Sequence, residues 1–466
     1  MSKKIIIDKA DNIAVYLEES DNIPKGHKEA LRDIKKGEYI IKYGEVIGRA
    51  TEDIKKGDWV HSHNLRSQLD EAASYTYNYK AYAPEKKKAT FKGYRRDGRR
   101  AGIRNEILIV PSVGCVNGVC KALEKAAQEF ITGSIDGVYA LTHQFGCSQL
   151  GDDNENIKNL LASIALNPNA TYVLFVGLGC ENNGLDGIKE VLKDSPNSHI
   201  YYINAQDEVD EVETGTRLLK ELCEKASKLE REDIDISELI LGVKCGGSDG
   251  FSGLTANPLV GKISDRIVSY GGSVILTEVP EMFGAEQQLM NKCESEAVFE
   301  SLKALVERYK NFYEKNGFPV YENPSPGNKK GGITTLEEKS LGCVKKAGST
   351  TVVDVIDYGE RVKKTGVTVL DAPGNDLIAA TALGAAGCQI VLFTTGRGTP
   401  FSTFVPTLKV STNTALATKK NHWIDFDAEP MDEDAFWNKI FSTVEGAPVN
   451  EEHNREIAFY KTGVTL

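Results

Sequence analysis

The run Trp59-Val60-His61-Ser62-His63 sets two imidazoles two residues apart. Alternate side chains of a strand share a face, so His61 and His63 could together reach one metal ion or one substrate anion. The bland alternative is a pair of surface histidines on an edge strand. A second unusual stretch is Lys244-Cys245-Gly246-Gly247-Ser248-Asp249-Gly250-Phe251-Ser252-Gly253. A loop this rich in glycine lets backbone N–H groups approach an anion closely. Gly246, Gly247 and Ser248 could cradle a substrate, Lys244 could be a base or a charge clamp, and Asp249 could ligate a metal. The stretch matches neither a phosphate loop nor a dinucleotide fingerprint. Arg397, in Thr394-Thr395-Gly396-Arg397-Gly398, offers a fork for a carboxylate, with Lys409 on the segment that follows. His143 sits just past an apolar run, where an imidazole could move protons near neutral pH or simply bond a backbone carbonyl. Arg104 differs from the basic residues before it because it immediately precedes an apolar strand. Cys115, Cys147, Cys180 and Cys245 each end a strand-like run. They could form a thiolate or iron–sulfur site, but their long, irregular spacing favours small thiols filling strand–helix corners. Cys120, Cys223 and Cys293 fall in helix-like stretches and read as core.

These residues need elements to position them. Seven apolar runs share one grammar: 107–110, 138–141, 172–176, 239–243, 273–276, 367–370 and 390–393 each lead into Gly, Cys, His, Thr, Asp or Arg. Apolar runs without alternation mark strands buried on both faces, as in parallel sheets. Helix-like segments such as 154–166 and 376–386 lie between them, which predicts α/β architecture. Ligands of open parallel sheets bind beyond the carboxyl ends of the strands, where the polar residues gather here. Asn375 and Asp376 read as N-cap residues of the second segment. Residues 1–83 carry short strand signals, with DIKKGEYI (33–40) echoed by DIKKGDWV (53–60), and read as a small β-rich module. The predicted organisation is that module, a basic linker over 84–104, an α/β domain over 105–235 and a C-terminal α/β domain over 236–466.

Length and composition bound the rest. A chain of 466 residues suggests two or three domains. A net charge of −11 disfavours a nucleic-acid or anionic-membrane surface. No apolar stretch approaches a membrane span, and Asp8 interrupts any signal core, so a cytoplasmic location and no membrane partner are expected. Nine scattered cysteines without a CxxC pair read as reduced thiols.

The stretches GYRRDGRRAGIRNEILIVPSVGC, HQFGC, VGLGCENN, KCGGSDGFSGLTANP, PSPGNKKGGITTLEEKSLGC and APGNDLIAATALGAAGCQIVLFTTGRGTP together resemble the altronate/galactarate dehydratase family. The front module, with GDWVHSHNL, resembles the SAF-type β-clip domain fused ahead of it. The resemblance implies a SAF-like module followed by two α/β lobes with mainly parallel sheets. It implies a cytoplasmic hydro-lyase acting on a sugar acid, closest to D-altronate going to 2-dehydro-3-deoxy-D-gluconate and water. It also implies a divalent metal, Fe2+ or Mn2+ with Mg2+ as an option, and the partners expected are a small sugar acid and further copies of the chain. Within that chemistry His61, His63 and Asp249 are the expected metal ligands. His143 or Lys244 is the expected proton-transfer group, and Arg397 the carboxylate anchor. Arg104, Gly246, Gly247, Ser248 and Lys409 are expected to contact substrate. Glu337, Glu338 and Lys339 are placed beside the cleft by the resemblance alone; by composition they begin a charged helix. Galactarate dehydration, sulfite elimination from sulfolactate, a non-catalytic sugar-acid binder and an iron–sulfur redox protein are the competing expectations.

Overall fold

A computed structural model describes residues 3–69, 74–80 and 82–466; residues 1–2, 70–73 and 81 of the expected front module lie outside it. The front module is two small antiparallel sheets. One has the order β1-β2-β3-β6, from Lys4–Ile5, Ile13–Tyr16, Lys28–Ala30 and Trp59–Val60; the other, β4-β5-β7, uses Tyr39–Lys42, Glu45–Ala50 and Leu65–Arg66. The repeated DIKKG phrases explain its closure, because each pairs with the other. Ile34 and Ile54 exchange backbone hydrogen bonds of 2.8 Å, Asp33 accepts from Lys56 N and Lys55 Nζ, and Asp53 accepts from Lys36 N and Lys35 Nζ.

The segment expected as a linker instead holds strands β8 (Thr90–Arg96) and β9 (Arg99–Gly102). They form a three-stranded sheet with β14 (Glu232–Asp235). Its charge run is an antiparallel pattern with one face inward: Phe91, Gly93, Tyr94 and Arg96 are buried and the basic residues between them are exposed.

The middle lobe is a four-stranded parallel sheet, β11-β10-β12-β13, from Gly137–Ala140, Glu106–Pro111, Ala170–Gly177 and Ile200–Asn204. The rear lobe is a seven-stranded parallel sheet in the order β17-β18-β16-β15-β19-β20-β21. In that order its strands are Val352–Ile356, Val367–Leu370, Ser273–Leu276, Ile240–Cys245, Ile390–Thr395, Thr407–Ser411 and Phe426–Asp427. All seven predicted apolar runs are strands of these two sheets. The lobes stand side by side in the same sense. The helices Asp152–Ala165 and Asp376–Ala385 pack together. Asn167, just past the first, donates to the carbonyls of Gly384 (2.8 Å) and Cys388 (2.9 Å) at the end of the second. The carboxyl ends of both sheets therefore open on one side of the molecule.

Candidate active site

In the rear sheet the chain leaves β15 toward β16 on one side and later returns to place β19 on the other. The crevice between the ends of β15 and β19 is thus a topological switch point, the favoured ligand position in such sheets. Lys244-Cys245-Gly246-Gly247 leaves one strand there and Thr394–Arg397 the other. A Cβ on Gly246 would stand 2.5 Å from Phe393 Cζ and 2.6 Å from Asp376 Oδ1, so only glycine lets this loop pass so close to that carboxylate. A Cβ on Gly247 would meet Thr395 Oγ1 and Arg397 Cβ at 3.3 and 3.4 Å. Ser248 is buried, with no partner on its hydroxyl, and its carbonyl accepts from Asn328 Nδ2 at 2.8 Å.

Beneath the crevice lies a cluster of three lysines, three carboxylates and two thiols, buried except at the part-exposed Asp376. Lys244 Nζ is 2.9 Å from Glu278 and 2.6 Å from Asp376. Lys346 Nζ is 3.1 Å from Glu278 and 2.8 Å from Cys245 Sγ. Lys339 Nζ is 2.7 Å from Glu281 and 3.0 Å from Asn323 Oδ1. Burial works against the Lys244 charge, but Glu278 and Asp376 hold its ammonium well above the ordinary lysine range. Lys339 is held up in the same way by Glu281, and Lys346 chiefly by Cys245 and Glu278. In return Lys339 and Lys346 draw Glu281, despite its burial, down to about 2. Glu278 stands at a left-handed φ of 68°, a strained backbone of the kind that collects at functional sites.

Cys245 Sγ and Cys343 Sγ are 3.3 Å apart, and each is 3.4 Å from Glu281 Oε2. Among the described residues this is the one group of three metal-ligating side chains with donor atoms all within 4.8 Å. The donors fit a divalent ion: they are close enough for one ion to reach all three. Two thiols giving up protons would balance its charge inside an otherwise neutral set of lysines and carboxylates. A cavity of about 420 Å3, lined by Pro280, Tyr313, Phe318, Asn323, Gly374 and Asn375, lies beside this cluster. Asn323 Nδ2 is 3.5 Å from Glu281 Oε1, and a Cβ on Gly374 would be equally close.

The structure gathers Lys244, Gly246, Gly247, Ser248, Asp249 and Arg397 here, with Asp249 packed against Gly396, and sets His61, His63, His143, Arg104 and Lys409 apart from them. Arg397 is exposed and lends one N–H to Gly327 O at 3.3 Å. The strand stops at Val60, so the two histidines fall in a turn with Asn64 N bonded to His61 O, and both rings pack on Trp59, at 5.2 and 5.5 Å. His61 is half-buried, with Nε2 2.9 Å from Lys329 O and Nδ1 2.9 Å from Ser62 Oγ; His63 is exposed. The ring stacked on His61, at 5.0 Å, is His27, which the sequence reading missed. Burial pushes His27 down to about 4.

Asp249 is part-buried and already hydrogen-bonded. It accepts from Thr412 Oγ1 (3.0 Å) and Phe251 N (3.1 Å) and fills the space that the missing Cβ atoms of Gly396 and Gly331 leave. His143 lies in the middle lobe, buried, with Nε2 2.8 Å from Pro111 O and Nδ1 accepting from Phe145 N. Burial lowers it to about 4, and its two ring nitrogens link the Pro111 and Phe145 loops. Arg104 is paired with Glu452 at 2.7 Å and bonds the carbonyls of Thr443 and Ala447. Lys409 Nζ bonds the carbonyls of Phe401, Thr407 and Asn450. Both tie the C-terminal segment down and neither touches the crevice residues. Cys245 ends a strand as expected, but Glu278, Glu281, Cys343 and Lys346 were not among the expected site residues: they meet only through the fold.

Comparison with known proteins follows the same three parts. The SAF domain of altronate/galactarate dehydratases matches residues 3–68. The D-galactarate dehydratase/altronate hydrolase second domain matches 93–227, and the D-galactarate/altronate dehydratase C-terminal domain matches 236–465. The chain is 51% identical to the altronate dehydratase of Bacillus subtilis (strain 168) over 99% of this chain and 96% of that one. It is 46% identical to the altronate dehydratase of Escherichia coli (strain K12), over 98% and 94%. With the galactarate dehydratase (L-threo-forming) of Escherichia coli (strain K12) the identity is 35%, over 88% and 81%.

Proposed function

We propose, for a chain that belongs to the D-galactarate/altronate dehydratase family along its whole length, that it is a hydro-lyase converting D-altronate to 2-dehydro-3-deoxy-D-gluconate and water. The observation that carries the substrate choice is identity of 51% and 46% to two altronate dehydratases, against 35% to a galactarate dehydratase. The reaction removes a weakly acidic proton from C2, beside the carboxylate, and expels hydroxide from C3. Charge builds on the carboxylate as the proton leaves, so preorganised cations there lower the barrier.

The crevice residues divide this work. Arg397 anchors the substrate carboxylate at the mouth. Asp376, whose side chain is 36% exposed, takes the C2 proton, and Lys244 holds its carboxylate in place. Lys244 itself is too firmly protonated to be the base and acts as a fixed positive charge, as do Lys339 and Lys346. The glycines at 246 and 247 let the substrate approach the loop backbone. Cys245, Glu281 and Cys343 would hold the divalent ion, which would supply Lewis-acid stabilisation of the developing oxyanion or the departing hydroxide. Two thiolates and a carboxylate suit Fe2+ better than Mn2+ or Mg2+. No helix among the described residues is long and apolar enough to cross a membrane. With a net charge of −11, this fits a cytoplasmic enzyme acting on a small acid, as a homo-oligomer, without nucleic-acid or membrane partners.

The test is keto-acid formation from altronate, galactarate and sulfolactate by metal-stripped protein given Fe2+, Mn2+ or Mg2+. Altronate with Fe2+ should be turned over best. Turnover of galactarate alone, or sulfite release from sulfolactate alone, would overturn the substrate assignment. Tight altronate binding with no keto acid under any metal would overturn catalysis itself.

A further inference from the structure

We infer that Cys115, Cys147 and Cys180 form a second cofactor site, on the middle lobe, that holds an iron–sulfur cluster through three thiolates. The nine free cysteines divide sharply: these three are exposed and the other six are buried. The exposed three stand just past the carboxyl ends of β10, β11 and β12, adjacent strands of one parallel sheet. The chain leaves β10 for β11 on one side and β12 for β13 on the other, so Cys115 and Cys180 flank the switch point of this sheet. Strand-end corners would bury small thiols, as the sequence suggests; here the thiols project instead.

The three loops are built against one another. Gly114 N donates to Phe145 O at 2.8 Å, and a Cβ on Gly146 would stand 2.1 Å from Ser112 O. Ser112 Oγ donates to Glu181 Oε1 at 2.5 Å. Cys147 Sγ and Ser148 N both donate to Asn182 Oδ1, at 3.4 and 2.9 Å, and Asn183 N donates to Gly146 O at 3.0 Å. Each thiol-bearing loop is thereby fixed to the other two. At their junction Asn183 is fully buried, and neither its amide nitrogen nor its amide oxygen has a partner. An orphaned buried amide calls for an explanation at the site that keeps it.

The chemistry narrows the occupant. Soft thiolates select zinc or iron–sulfur clusters. The three sulfurs are not drawn within the 4.8 Å that unites Cys245, Glu281 and Cys343 around a single position. Three wider-set thiolates on one rim suit a cubane body, leaving one iron without a protein ligand. Gln206 Nε2 lies 3.6 Å from Cys180 Sγ and Ser148 Oγ 3.9 Å from Cys147 Sγ, the sort of donors to sulfur that tune such clusters. The site faces the same side of the molecule as the rear-lobe crevice and does not depend on which acid is turned over.

The experiment uses the full chain, purified without oxygen and reconstituted with ferrous iron, sulfide and a thiol reductant. About four iron and four acid-labile sulfide per chain are expected, with a brown chromophore from sulfur-to-iron charge transfer. The triple variant Cys115→Ser/Cys147→Ser/Cys180→Ser should lose the chromophore and sulfide while keeping its circular dichroism and elution volume, because all three positions are exposed. The double variant Cys245→Ser/Cys343→Ser should keep the chromophore, whatever happens to its turnover. Absence of labile sulfide in the reconstituted native protein would overturn the proposal. So would a chromophore that survives in the triple variant, or one iron or zinc bound there without sulfide.

Discussion

Exchanging Asp376 for Asn removes one charge and one proton acceptor while preserving shape. In the native protein its Oδ1 lies 2.6 Å from Lys244 Nζ, and an amide oxygen can still accept that hydrogen bond. The lost charge sits in the first turn of the helix Asp376–Ala385, where a carboxylate is worth ~0.3–1 kcal/mol. Its half-exposed ion pair adds ~0–1 kcal/mol after screening. Glu278, at 2.9 Å, continues to neutralise Lys244. The stability loss should be ~1–2 kcal/mol, which a chain with ~5–15 kcal/mol in hand tolerates. Catalysis should suffer far more: losing the base should cut kcat ~100- to 10,000-fold with KM little changed. Lys244→Met inverts the pattern, because it removes the buried cation shared by Glu278 and Asp376, leaving Glu278 only Lys346, and should cost ~3–5 kcal/mol of stability. The assay pairs keto-acid formation over a substrate series with thermal melts of both variants. An Asp376→Asn protein that melts normally and keeps kcat within about threefold of native would refute the base assignment.

Arg397→Ala should raise KM by roughly 10- to 100-fold with a smaller change in kcat, as expected for loss of a charged hydrogen bond to a carboxylate, and steady-state kinetics would measure it. His143→Gln should leave kcat intact and lower the melting temperature. His143 titrates at about 4 folded and ~6.5 unfolded, so the unfolded chain binds more protons between those values and stability rises with pH across that window. Melts from pH 4 to 7 should show that slope in the native protein and a flatter one in the variant. Glu338→Gln should cost ~3–5 kcal/mol, because it leaves Lys28 and Lys42 facing each other without a counter-charge. Burial opposes the Glu338 charge, but the two lysines hold its carboxyl far below the usual range. The native protein therefore keeps this contribution above pH ~4.3 and loses it as pH falls below that value, measurable as earlier proteolysis of the front module in acid.

Much of the architecture could be read from residue order because parallel strands buried on both faces leave an unmistakable apolar run. The strands that escaped notice were those whose runs are polar or broken: Ile200–Asn204 carries two tyrosines and an asparagine, and Thr407–Ser411 contains Lys409, whose ammonium is held by the carbonyls of Phe401, Thr407 and Asn450 and by nearby Asp425, Glu451 and Glu452. The basic stretch near 84–104 looked like a linker because charge density hides alternation; its inward residues become visible only once Glu232–Asp235 is known to pair with it. At the site the glycine loop, Lys244 and Arg397 were legible because rare composition at a strand end is local information. The shared face expected for His61 and His63 rested on the strand rule, but they lie one and three residues past the strand's end at Val60. Asp376 was hidden behind a sound capping argument, in which Asn375 is the actual cap, accepting from Leu377 N and Ile378 N.

The helix Leu336–Cys343 shows why the remainder was out of reach and what it does. Its sequence, LEEKSLGC, has the charge of a surface helix, yet all eight residues are buried. Each charge is matched by a different part of the chain. Glu338 takes Lys28 at 2.8 Å and Lys42 at 2.7 Å from the front module; Lys339 takes Glu281 from the rear lobe at 2.7 Å. Glu337 accepts from Ser67 Oγ and Gln68 N, and Cys343 meets Cys245. Successive residues of one short rigid element therefore bind the front module and shape the buried donor set. A front module that came away would strand the Glu338 charge and loosen the helix that holds Lys339 and Cys343 in place. The module thus reaches the buried donor set through this helix. Weakening the Glu338 contacts should consequently lower metal retention as well as stability, whereas substituting exposed His63 should change neither.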